Sequence, residues 1–239
     1  MKLLTAALLL LLTATCSIPR GTGHVPVIDA PDTSLLPAVQ DDRYVLHRVG
    51  YTLEYAEAHE QARWVAYWTC RAHMQGTWPR CDHFRFDSDV ISGSAMREDY
   101  RGSGYDRGHL CPAGDMKWDS LAMCQTFLLS NTSPQLHAFN DGIWKRCEEQ
   151  VRDWARLYDS LFVVTGPVLR PGLPTIDDNQ VSVPEAYYKI VYDPHRQEAI
   201  AMLVPHAASK ESVRQFVVTI DSVEVATGID FFPALPDSV

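Results

Sequence analysis

The sequence lacks the basic excess of a protein that coats nucleic acid electrostatically: 21 lysines and arginines stand against 30 acidic residues, for a net charge of −9. That balance argues against a packaging role, because non-specific retention of a polyanion grows with the phosphates neutralised. A catalyst must release its product and has no such requirement. No internal repeat or low-complexity block interrupts the chain, which excludes solenoids and arrays. The apolar stretch Leu3 to Leu12 falls well short of the roughly 20 residues a spanning helix needs. No Cys-x-x-Cys or His-x-x-x-His spacing occurs, so a zinc site would have to gather scattered ligands, with Cys111, His109 and His137 as the competing candidates.

What is present falls into three parts. Lys2, the apolar stretch and the small residues Thr13-Ala14-Thr15-Cys16 read as a signal peptide over residues 1–16, which places the chain in a secreted or periplasmic setting. Cys16 stands where a lipoprotein cysteine would be acylated, although Thr13 and Thr15 replace the residues usual before it; membrane anchoring through Cys16 is therefore a variant of this reading. Residues 17–42, rich in Pro, Gly, Thr and Asp, read as a flexible tether. Residues 43–239, in a chain that is 46% hydrophobic, suffice for one domain with one substantial core.

An exported chain with six cysteines invites disulfides. Setting Cys16 aside leaves an odd set, Cys70, Cys81, Cys111, Cys124 and Cys147. Cys70 and Cys81 bracket a turn-rich segment containing Gly76 and Pro79, and are the candidate bridge. Cys147 falls within a helical pattern and reads as a small buried apolar residue.

Runs rich in β-branched and aromatic residues predict strands over 63–72, 161–165 and 186–192, with a further short one over 199–204. Residues 117–125 read as a short helix. Residues 140–158 read as a long amphipathic one, with Ile143, Trp144, Cys147, Val151, Trp154, Ala155 and Tyr158 at three- and four-residue spacing. The fold class is α/β, with a mixed, largely antiparallel sheet flanked by helices. A short strand over 128–130 would sit between the strand ending near His109 and the helix starting at Asn140, giving a β-β-α order.

The chemistry-bearing residues follow one another in this same region: Asp106-Arg107-Gly108-His109, then Asn131 within Leu129-Ser130-Asn131-Thr132-Ser133-Pro134-Gln135, then Asn140 through Glu148. This ordered set resembles the DNA/RNA non-specific endonucleases, the ββα-metal nucleases that include endonuclease G. Trp64-Val65-Ala66-Tyr67, Val163-Val164-Thr165-Gly166-Pro167, Val183-Pro184-Glu185-Ala186-Tyr187-Tyr188-Lys189 and Phe231-Phe232-Pro233 extend the resemblance over most of the chain. It implies a divalent-metal-dependent endonuclease acting on DNA and RNA with little sequence preference and leaving 5′-phosphates. It also implies that homodimers occur.

The residue types suit that chemistry. His109 can act as general base, since an imidazole titrates near neutral pH. Asn140 can bind a magnesium ion directly, because Mg²⁺ keeps several waters and needs few protein oxygens; Mn²⁺ is the alternative. Glu148 lies eight residues further along the helix, about 12 Å in axial rise, and is expected to hold the metal through water. Arg107 offers a guanidinium fork to the phosphate. Asn131 would orient His109. Asp106 is a hydrogen-bond acceptor or adjusts the charge. Arg80 is an upstream arginine placed there by the resemblance, with Arg85 as its rival. Cys111 stands where the family usually has a small residue; if exposed, it would make the site thiol-sensitive. A catalytically weak nucleic-acid- or partner-binding envelope lipoprotein is the alternative.

Overall fold

The computed structural model describes residues 33–235. The expected signal peptide, Cys16 and the first part of the expected tether lie outside the described residues. The last ten residues of that tether are not a free linker: Leu35 is buried in the core, and the backbone N–H groups of Gln40 and Asp41 donate to Glu54 Oε1 at 2.7 and 3.0 Å. One apolar side chain and a buried carboxylate dock this segment, a feature that its Pro- and Asp-rich composition conceals.

In chain order the strands and helices are β1 (Val45–His47), β2 (Thr52–Ala56), β3 (Gln61–Cys70), β4 (Asp106–His109), α1 (Ser120–Gln125), β5 (Thr132–Gln135) and α2 (Lys145–Tyr158). There follow β6 (Ser160–Pro167), the small pair β7 (Thr175–Ile176) and β8 (Val181–Ser182), β9 (Ala186–Asp193), β10 (Glu198–Pro205), β11 (Val217–Val218) and α3 (Ile220–Thr227). The main sheet runs β1-β2-β3-β6-β9-β10-β11 and every neighbouring pair in it is antiparallel. Of the strands read from the sequence, 161–165, 186–192 and 199–204 are present and one to three residues longer, while the one expected over 63–72 runs two residues earlier, Gln61–Cys70.

Side chains alternate across this sheet with period two. Val65, Tyr67, Val163, Tyr187, Val191, Met202 and Val204 meet Ile143, Trp144, Cys147, Val151 and Ala155 on one face. Trp64, Ala66, Val164, Tyr188, Ile190 and Ala201 pack with Val223, Ile229, Phe231 and Phe232 on the other. Both faces are covered, which is why the central strands read as near-continuous apolar runs. Helix α3, capped by Thr219 and ended by Gly228 at φ +67°, completes the second layer and had no clear signal in the sequence. Among the described residues no helix is long and apolar enough to cross a membrane.

Three elements differ from expectation. The 117–125 helix begins at Ser120, with Asp119 as its N-cap accepting from Leu121 and Ala122 N–H. The expected strand at 128–130 is a tight 3₁₀ turn (Leu129–Asn131), and the strand that pairs with β4 is β5, three residues later. The bridge joins Cys81 to Cys124, with Cα atoms 5.3 Å apart, and not Cys81 to Cys70, which lies buried at the end of β3.

Candidate active site

Strand β4 pairs with β5 in the register Asp106–Gln135, Arg107–Pro134, Gly108–Ser133 and His109–Thr132, and the chain then enters the long helix. This is a ββα unit. Gly108 is required by a close approach: a Cβ there would lie 2.2 Å from the Gln135 side chain. The glycine lets Gln135 cross β4 while Asp106, Arg107 and His109 reach a cleft of about 580 Å³ beside it.

The other wall comes from the helix, whose start is not a plain α-turn. Phe139–Trp144 forms a wide π-turn in which Lys145 N–H donates to Asn140 O and Gly142 sits at φ −104°, ψ −113°. The main chain therefore breaks between the turn that carries Asn140 and the regular helix that carries Glu148. Both side chains line the same cleft. The expected straight helix from Asn140 is corrected in this respect.

Asn140 is held from below. Its Nδ2 donates to Asp106 Oδ2 at 2.9 Å, leaving Oδ1 for a ligand. The same Asp106 oxygen lies 2.9 Å from His137 Nδ1. Asp106 is thus an orienting acceptor.

His109 lies between two rings, Phe84 at 5.1 Å and Phe127 at 4.9 Å, and its main-chain carbonyl accepts from Trp144 Nε1 at 3.4 Å. Its Nε2 is buried and has no partner. Burial first, and the Arg80 charge second, push its pKa down to about 3, so the ring is neutral at physiological pH. A neutral imidazole with an unengaged nitrogen is a base with a free lone pair.

Arg107 rests its guanidinium over the Phe84 ring at 4.9 Å, and its buried Nε is also unpartnered. Arg80 lies over Phe127 at 4.8 Å and lines the cleft. Arg85 does not: its Nη1 donates to Cys124 O, and its backbone is tied to Phe127 and Leu129. Of the two upstream arginines, Arg80 is the one that lines the cleft.

Glu148 has a pKa raised to about 7, chiefly by burial, with Lys189 as the largest opposing influence. Arg152 reaches both Glu148, at 3.9 Å, and the fully buried Asp115, at 2.9 Å. Tyr67 donates to the other Asp115 oxygen. Lys189 is completely buried, with Nζ 4.5 Å from the Trp144 ring centroid and donating to Thr165 Oγ1. Asp115 and Lys189 thus lie buried behind Glu148 and Arg152, which line the cleft, and at Glu148 the cost of burial outweighs the attraction of the two cations.

Asn131 is not at the site. Its Oδ1 accepts from Cys111 N–H at 2.9 Å, and its Nδ2 donates to Cys111 O and Thr126 O at 3.0 and 2.9 Å. With its amide wholly engaged by backbone it cannot orient the His109 ring; it fixes the loop just after His109. Cys111 is fully buried, so the expected thiol sensitivity does not apply to it. Cys147 is buried as expected. Phe84, Lys145, Arg152, Asp115 and Lys189 were missed. Arg152, four residues after Glu148 on the helix, was legible as a same-face partner.

The donors suit a hard divalent cation. Asn140 supplies a neutral oxygen held in place by Asp106, Glu148 supplies a carboxylate in the same cleft, and the nearby thiols Cys111 and Cys147 are buried.

A histidine and an asparagine presented by a ββα unit across a basic cleft define a ββα-type centre, and comparison with known proteins agrees. The family model described as DNA/RNA non-specific endonuclease matches residues 37–238. The chain is 33% identical over 224 residues to the mitochondrial nuclease EXOG of Mus musculus, covering 85% of this chain and 60% of that protein. It is 32% identical over 203 residues to mitochondrial endonuclease G of Bos taurus, covering 78% and 68%. With nuclease C1 of Cunninghamella echinulata var. echinulata identity is 34% over 212 residues, covering 81% and 84%. A crystal structure of an EndoG/EndoGI complex superposes with a TM-score of 0.76 at 26% identity, over 81% of this chain and 87% of that one. The chain belongs to the DNA/RNA non-specific endonuclease family, while spanning about 60% of the length of the EXOG relatives.

Proposed function

We propose that this protein is a divalent-metal-dependent endonuclease that hydrolyses phosphodiester bonds in DNA and RNA with little sequence preference, leaving 5′-phosphates. The observation that carries this reading is the unpartnered, buried Nε2 of a neutral His109 opening onto a cleft lined by Arg80, Arg107, Lys145 and Arg152. A phosphodiester can be gripped there by guanidinium forks while the imidazole takes a proton from an attacking water. The water oxygen bonds to phosphorus as the P–O3′ bond breaks, the departing oxygen takes up a proton to become a 3′ hydroxyl, and the phosphate remains on the 5′ oxygen of the downstream nucleotide. A bound Mg²⁺, or Mn²⁺, held by Asn140 and through water by Glu148, would supply charge neutralisation at the phosphate and leaving oxygen. Asp106 keeps Asn140 turned to receive it.

The cations Arg80, Arg107, Lys145 and Arg152 in the cleft lining suit a phosphate backbone, which DNA and RNA share. We also propose export, on the strength of Lys2 and the apolar stretch after it, with acylation at Cys16 as a variant. Digestion of supercoiled plasmid and total RNA with Mg²⁺, with EDTA and with His109→Ala tests the activity. Metal-dependent cutting that drops by about 10²–10⁴-fold in the variant is expected. Intact substrates under every divalent metal, from folded protein, would overturn the proposal and favour a binding role on the same surface.

A further inference from the structure

Arg80 is the one cleft arginine carried by neither a strand nor a helix. Residues 77–105 contain no regular element, and the backbone is tied to the body at Trp78 (N–H to Lys117 O, 3.0 Å) and again at Arg85 (N–H to Phe127 O, 3.0 Å). Among the described residues no backbone hydrogen bond to the rest of the protein anchors the stretch between them. Arg80 makes only a local bond, Nε to Asp82 at 2.6 Å, and a ring contact with Phe127. What fixes this stretch covalently is the next residue: Cys81 is bonded to Cys124, in the last turn of α1. The same end of α1 offers its Cys124 carbonyl to Arg85, so the chain just after Arg80 is drawn to one point twice, while the side before it is held at Trp78.

We propose that the Cys81–Cys124 disulfide is a positioning element for Arg80, so that full activity belongs to the oxidised protein. The proposal rests on the reading of Arg80 as a phosphate-gripping residue. Reduction by a dithiol breaks the S–S bond: two electrons and two protons pass to Cys81 and Cys124, which become thiols, and the reductant closes its own disulfide. The released stretch gains conformational freedom that must be lost again each time Arg80 engages a phosphate. The sheet, α2 and the His109–Asn140–Glu148 set lie on elements that this bond does not join. Loss of the tether therefore lowers activity without unfolding the protein.

The test compares the oxidised full chain, the same protein reduced with dithiothreitol, Cys81→Ser/Cys124→Ser and Arg80→Ala, each cutting a linear DNA duplex with Mg²⁺. Circular dichroism of each sample at the assay temperature reports the fold. Expected are a roughly tenfold fall in kcat/KM on reduction with an unchanged spectrum, and a double variant that starts at the reduced level and ignores dithiothreitol. Arg80→Ala should be impaired and lose nothing further on reduction, because the effect runs through that side chain. Equal kcat/KM in both redox states overturns the proposal, as does a reduction that lowers Arg80→Ala by the same factor as the parent. A fully active Arg80→Ala would remove the role of Arg80 while leaving the nuclease reading intact. A folded parent that cuts nothing would remove the nuclease reading itself. If the double variant does not fold, the reduced parent with its own spectrum decides the matter.

Discussion

Asp106 accepts the Asn140 amide through a 2.9 Å hydrogen bond, and in doing so ties the first strand of the ββα unit to the π-turn that opens its helix. A charge-assisted bond of this kind contributes about 1.5–3 kcal/mol, and its geometric effect is to decide which Asn140 atom faces the cleft. Asp106→Ala should therefore weaken activation by Mg²⁺ about tenfold in half-saturating metal, with activity at saturating metal within a few-fold of the parent. Asn140→Ala should lose activity at every metal concentration. A metal titration of initial rates separates the two, and equal metal dependence in Asp106→Ala and the parent would contradict the orienting role.

Gly108 makes the second prediction. A methyl group at this position would lie 2.2 Å from Gln135, whose side chain is fully buried and cannot swing into solvent. Gly108→Ala should cost about 1–3 kcal/mol by overpacking and depress activity by displacing β4. Gly108→Ala/Gln135→Ala should recover part of both losses, because it removes the atoms struck. Denaturant unfolding of the single and double variants measures this; a double variant less stable than the sum of the singles would show that the clash is elsewhere.

Glu148 links the site to pH. Its pKa in the folded protein is raised from the usual carboxylate range to about 7 by burial. For a raised acid the charged form is the disfavoured one: below the unfolded pKa both states are protonated and nothing is lost, and the full cost is present above about 7. Without metal, Glu148→Gln should therefore melt higher than the parent at pH 8, by the equivalent of about 1–3 kcal/mol, and nearly with it at pH 4. Activity should move in the opposite sense, since the carboxylate is needed in its charged form. Thermal melts with EDTA at the two pH values check the stability part.

Much of this was legible in the chain. The strand runs carry period-two patterning on both faces, and the α2 stripe from Ile143 to Tyr158 has a single apolar side, so the sheet and helix follow from local pattern alone. His109, Arg107 and Asn140 lie close together in sequence on adjoining elements, which is why reading the order of residue types located them. The rest depended on tertiary geometry. The main chain leaves helical φ/ψ at Gly142, and a 3.6-residue period read from Asn140 to Tyr158 runs straight through that break without showing it. The Cys81–Cys124 pairing spans 43 residues and could not be told from Cys70–Cys81 by spacing. Lys189 did leave a signal: it interrupts an apolar strand at a position whose neighbours two residues away, Tyr187 and Val191, both face the main core. A lysine there has to be buried and therefore paired.

Asn131 supplies the last prediction, because its two readings differ in what a substitution would do. As an orienter of His109, it would affect the rate and leave stability alone. As found, its amide satisfies the N–H and carbonyl of Cys111 and the carbonyl of Thr126, all in the interior. Asn131→Ala leaves three buried backbone groups without partners, at about 1–3 kcal/mol for each unsatisfied group before relaxation. The variant should unfold at a clearly lower denaturant concentration than the parent. Assayed well below its own melting temperature, it should retain activity within about tenfold, whereas His109→Ala falls further with stability unchanged or slightly raised, since it removes a buried nitrogen that has no partner. At acidic pH, where its side chain is protonated, Asn131→Asp keeps an acceptor for Cys111 N–H and one O–H donor in place of two N–H donors, so it should fall between parent and alanine variant in stability. An Asn131→Ala protein as stable as the parent but as inactive as His109→Ala would return the residue to the chemistry.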